Sequence, residues 1–135
     1  DSYRLGTSVD AILVDIHGEA TSEKQALARY VDGQISVAAG THTHVPTADH
    51  MIFPGGTAFI TDLGMCGAYN SIIGMEIKPI LHRFTRKMPG ERFSPVLEEA
   101  TLCAVYVETN DSTGLATHIS PVRIGGILDP VEPNL

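Results

Sequence analysis

The chain has 135 residues, 43% of them hydrophobic and 19% charged, with a formal net charge of −7. This fits a single globular domain, residues 1–135, large enough to bury a core. The acidic balance argues against an extended nucleic-acid surface, which needs a basic face. It is compatible with a small phosphate-bearing substrate, because bound cations reverse the local sign.

No apolar run approaches the roughly 18–20 residues of a membrane span, and no signal-peptide pattern opens the chain. Cys66 and Cys103 are too few for a disulfide framework and lack metal-type spacing, so a reduced, cytoplasmic setting is expected. The sequence starts at Asp1 and runs almost at once into a strand-like segment. That leaves open a processing boundary or a longer protein of which this is the back part.

In chain order, AILVDI (11–16) is a short apolar run with β-branched residues, as expected of a strand covered on both faces. His17 and Gly18 follow at its C-terminal end. Ser22 is a candidate helix N-cap with Gln25 completing a capping box. Ala26, Leu27, Tyr30 and Val31 recur at helical spacing, and Gly33 is a C-terminal stop signal. ISVAAG (35–40) reads as a second strand. Strand, helix and strand within about 30 residues predict a βαβ unit with two neighbouring parallel strands.

GTHTHVPTADH (40–50) is a polar loop, Pro54-Gly55-Gly56 a turn, and TAFITD (57–62) a further strand. GMCGAYNSIIGM (64–75) reads as a shaped loop. Residues 76–86 predict a short helix with Ile77, Ile80, Leu81 and Phe84 on one face. LCAVYVET (102–109) and LATHISPVRI (115–124) flank NDSTG and predict a β-hairpin. The expected class is therefore α/β with a mixed sheet, and DPVEPNL (129–135) is expected to be a loose tail.

Open α/β sheets place their sites at the carboxyl ends of parallel strands. His17 sits at one such end and the His42-x-His44 pair just beyond the next, so the three are expected to converge on one crevice. In an extended segment residues i and i+2 point the same way, which lets His42 and His44 face one site. A lone histidine more often fills a surface or satisfied core position, and an isolated H-x-H pair is weak. Three histidines at two successive strand ends carry more, and three nitrogen ligands could suit zinc. The pattern alone leaves both readings open.

DIHGEATSEK (15–24), GTHTHVPTAD (40–49), PGGTAFITDLGM (54–65) and NSIIGM (70–75) together resemble the YmdB-type metallophosphoesterases, from about residue 9 to about residue 124. That family is associated with 2′,3′-cyclic-nucleotide 2′-phosphodiesterase activity, within the calcineurin-like superfamily. The resemblance implies a layered sandwich of the metallo-dependent phosphatase type with mixed sheets, of which this chain matches the C-terminal half. It also implies a binuclear centre of two divalent metal ions, manganese or iron first, with zinc or magnesium as alternatives. His17, His42 and His44 match metal ligands of that centre, with His17 and His42 expected on one metal and His44 on the other.

The family's aspartate, bridging acidic residue and asparagine ligands, and the histidine that assists the leaving group, belong to the half without a match here. No catalytic residue beyond the ligands is therefore expected in this chain. By the same resemblance the substrate is a phosphodiester or cyclic nucleotide. The partner is either the N-terminal half or another copy, because half of such a fold leaves a sheet edge uncovered. The alternative is a catalytically incomplete fragment or interaction module of the same fold.

Around the ligands, Asp15 and Glu19 are expected to orient the second ring nitrogen of His17. Thr41 and Thr43 are candidates for hydrogen bonds in the loop. Asp62, Gly64 and Met65 are candidates for the pocket wall, with a structural role the simpler account. His50, His82 and His118 fall outside the motifs and are read as non-ligands, and the Ser22-Glu23-Lys24 run is explained by helix capping.

Overall fold

The computed structural model describes residues 3–86, 88 and 90–133. Eight elements occur among them: β1 (Leu13–His17), α1 (Thr21–Tyr30), β2 (Val37–Thr41), β3 (Met51–Ile52), β4 (Ala58–Ile60), α2 (Ile77–Arg86), β5 (Leu102–Thr109) and β6 (Ala116–Ile124). β1, β2 and β4 form a parallel set, β3 adds an antiparallel edge, and the order is β1-β2-β4-β3. The predicted βαβ unit is present, with Leu13 opposite Val37 and His17 opposite Thr41. β5 and β6 form the predicted hairpin.

The central strands are covered on both faces, and their alternation shows how. Ile16, Ala28, Ile35, Ala38, Phe53 and Phe59 form a core on the α1 side. Val37, Ala39, Ala58, Ile60 and Ala116 form a second core, against which Val105, Val107 and Ile119 of the hairpin pack. Successive residues of β2 and β4 thus point to opposite layers, as the period of a strand requires. Phe53 and Phe59 stack with ring centroids 5.0 Å apart, and the Arg29 guanidinium lies 3.8 Å from the Phe53 centroid.

The chain departs from the sequence expectations at both helices. α1 begins at Thr21 after Ala20, with no side-chain cap, so Ser22 is not the N-cap. Its buried residues are Lys24 and Ala28, while Leu27 and Tyr30 are exposed. The buried face is therefore not the one that carries Leu27 and Tyr30, because a lysine whose ammonium is fully hydrogen-bonded occupies it. α2 spans the predicted range, yet it buries Pro79 and Ile80 and leaves Ile77, Leu81 and Phe84 exposed. The short strand β3 has no signal of its own, since two residues cannot display a period.

β1 is the edge of the sheet opposite β3, and Leu13 on it is 70% exposed. In the segment expected to be a tail, Val131 exchanges two backbone hydrogen bonds with Arg123, and Asn134 and Leu135 lie outside the described residues.

Candidate metal centre at the strand ends

Parallel pairing sets the ends of β1 and β2 side by side, which brings His17 next to Thr41 and the loop after it. His17 Nδ1 lies 2.9 Å from Thr41 Oγ1, and that hydroxyl donates to Asp15 Oδ1 at 2.8 Å. A hydroxyl has one proton. With that proton given to Asp15, Thr41 accepts from His17, so His17 carries its proton on Nδ1 and Nε2 keeps a free lone pair. His44 reaches the same state by another route, because its Nδ1 is 3.1 Å from the carbonyl oxygen of Ile73, which can only accept. Fixing Nδ1–H through an oxygen acceptor is the usual way to present Nε2 to a metal.

The free Nε2 of His17 faces His42 Nδ1 at 3.3 Å, with the rings edge to face and their centroids 5.2 Å apart. Two nitrogens bound to one cation at about 2.1 Å, with an angle of about 90–109° between them, lie roughly 3.0–3.4 Å apart. The pair therefore fits the first two ligands of a single ion. His44 makes its Nδ1 contact with Ile73 rather than with the His17–His42 pair. Among the described residues no group of three His, Cys, Asp or Glu side chains is arranged to hold a metal.

The expected supporting residues divide. Asp15 acts on His17 only through Thr41, and no hydrogen bond joins Glu19 to His17 among the described residues. The Thr43 hydroxyl turns to the backbone of Val45 at 3.1 Å, while its amide donates to Asp62 Oδ2 at 2.8 Å. His82 lies on α2, His118 on β6 opposite Glu108, and His50 just before β3.

Beneath the loop lies a charged pair that the sequence did not signal. Lys24 is fully buried on α1, and its ammonium donates at 3.1 Å to Thr41 O, Thr61 O and Asp62 Oδ2. Asp62 is buried too, and its other oxygen accepts the Gly64 amide at 3.0 Å. Burial works against the Asp62 charge. The amides of Thr43 and Gly64 and the Lys24 ammonium outweigh it and hold its carboxyl below the ordinary value. Gly40 makes room for this arrangement: a Cβ there would run into the Thr61 carbonyl and lie 2.9 Å from Lys24 Cδ.

The backbone around the histidines is unusual. His42 has φ 141°, His44 φ 66° and Ile73 φ 48°, all in the region that side-chain-bearing residues avoid. Each such residue costs on the order of 1–3 kcal/mol and persists only when its surroundings enforce it. After β4, Tyr69 Oη accepts the Met65 amide at 3.1 Å. Burial, followed by the Cys103 thiol, pushes the Tyr69 phenol up to about 12, so it remains a proton donor at neutral pH.

The family model for the YmdB-like protein matches residues 2–122. The chain belongs to that family. It is 47% identical over 113 residues to the 2′,3′-cyclic-nucleotide 2′-phosphodiesterase of Bacillus subtilis, covering 84% of this chain and 42% of the relative. A crystal structure of a hypothetical protein from Thermus thermophilus superposes with TM-score 0.80 at 43% identity, over 87% of this chain and 46% of the other. A crystal structure described as a novel phosphatase, from Mycoplasma pneumoniae, gives 0.76 at 39%, over 83% and 40%. This YmdB-like chain thus spans less than half the length of each of these proteins.

Proposed function

We propose that this chain supplies the histidine side of a metal-dependent phosphodiesterase centre of the calcineurin-like type, acting on 2′,3′-cyclic nucleotides or related phosphodiesters. The observation that carries the reading is the His17–His42 pair, 3.3 Å apart, with the His17 tautomer fixed by the Thr41–Asp15 relay. The name of the Bacillus relative supports the substrate class. His17 and His42 share one ion in this reading, and His44 serves a second. Bound there, the ions would neutralise phosphate charge and make a water more acidic. Manganese or iron suits a mixed nitrogen and oxygen ligand set.

The chain's own residues hold and orient. Thr41 and Asp15 keep the His17 proton on Nδ1, Ile73 O keeps that of His44, and all three histidines are exposed. Among the described residues no three His, Cys, Asp or Glu side chains are arranged to hold a metal, which favours a companion reading, in which the 135 residues alone are catalytically incomplete. The remaining donors then come from an N-terminal portion or a partner copy placed along the β1 edge.

Titration with manganese, read by calorimetry, tests the ligands. His17→Ala and His42→Ala are expected to weaken binding at least tenfold, and unchanged affinity in both would remove the assignment. Hydrolysis of 2′,3′-cyclic AMP with added manganese tests the companion reading. Turnover proportional to this polypeptide, freed of contaminating enzyme, would overturn incompleteness.

A further inference from the structure

We infer that Lys24 is a positioning residue for the H-x-H loop, setting the backbone of His42 and His44 through Asp62 before any ion arrives. The inference rests on the ligand reading above for its functional meaning, although the geometry stands independently. Lys24 touches neither histidine. It holds three acceptors on two chain segments: the carbonyl of Thr41 immediately before His42, and, just after β4, the carbonyl of Thr61 with the carboxylate of Asp62.

Asp62 then takes the amide of Thr43, the residue between the two histidines. The loop is thus gripped on both sides of His42. That is where it is needed, because His42 and His44 both adopt positive φ and would relax if unsupported. The buried charges have few alternative arrangements. An ammonium has three protons to donate, and here all three have partners. Removing the lysine would take a donor from the Thr41 and Thr61 carbonyls, the former keeping only the Gly18 amide at 3.3 Å, and would leave a buried carboxylate without its counter-ion.

A purely structural lysine could be replaced by any fold-preserving group without touching the loop. A positioning lysine could not. The test compares the parent with Lys24→Met and with the double variant Lys24→Met/Asp62→Asn, which leaves no unpaired buried charge. Amide exchange by NMR is followed at Thr43 and Gly64, with Ala38 and Phe59 in the sheet as references, and zinc affinity is measured by competition titration.

The expected result is at least tenfold faster exchange at Thr43, unchanged exchange at Ala38 and Phe59, and zinc affinity reduced tenfold or more. Parent-like Thr43 exchange and parent-like zinc affinity in a folded double variant would overturn the inference. Should both variants fail to fold, the parent alone decides. A Thr43 amide exchanging there at the rate of an open loop overturns the clamp, and protection matching the sheet supports it. If the parent binds no zinc while Thr43 responds as expected, the ligand reading fails and the clamp stands.

Discussion

The crevice at the ends of β1, β2 and β4 and the segment from α2 onward solve opposite problems. In the crevice, charged groups are buried, and each has a partner: Lys24 three acceptors, Asp62 two amides and an ammonium. Along α2, apolar groups are exposed, with Leu81 at 50% and Phe84 at 78%. A cavity of about 600 Å³ there is lined by Pro79, Arg83, Met88, Arg92 and Phe93, none of them part of the histidine crevice. Burying a charge is costly unless every hydrogen-bonding position is met, so the crevice tolerates little change. An exposed apolar side chain costs little to lose. Precision has been concentrated where two strained histidines must be held, and the α2 face carries no comparable constraint among the described residues.

Substitutions should reproduce that contrast. Phe59→Ala, at the centre of the α1-side core, is expected to cost about 3–5 kcal/mol in urea denaturation. Asp62→Ala leaves the Lys24 ammonium buried and unpaired and is expected to cost a similar amount, about 3–5 kcal/mol. The double variant Lys24→Met/Asp62→Asn should recover part of that loss, and a loss as large as that of Asp62→Ala would break the charge-pair account. Phe84→Ala on α2 is expected to stay within about 0.5 kcal/mol of the parent. A loss above about 2 kcal/mol there would show that the two regions are not different in kind.

The smallest effect concerns acid. Burial opposes the charge of Asp49, but the hydroxyls of Thr47 and Thr61 and the Thr61 amide prevail and lower its carboxyl, as the crevice does for Asp62. A depressed folded value means that the stabilisation is complete above the ordinary carboxylate value of 3.8 and is lost as pH falls through the lower one. Stability measured by circular dichroism should therefore fall more gently below that point in Asp49→Asn than in the parent. Identical acid profiles would remove Asp49 from the account.

Much of this protein was written in local pattern. The βαβ order, the hairpin around NDSTG and the placement of His17, His42 and His44 at strand ends all follow from periodicity and turn chemistry, which act between near neighbours. The long motifs also carried the family, which the matched residues 2–122 then established.

What tertiary structure alone decided is which polar residues are inside. Lys24 reads as a solvated helix residue and Asp62 as a strand-end acid, 38 positions apart, and nothing local says that they meet. The Thr41 hydroxyl between Asp15 and His17, and the turn of His44 toward Ile73, are likewise invisible in sequence. The physical reason is range. Secondary structure follows from contacts within a few residues, whereas desolvation, hydrogen-bond satisfaction and ring tautomers depend on groups brought together only when the sheet, the helix and the loops close over one another.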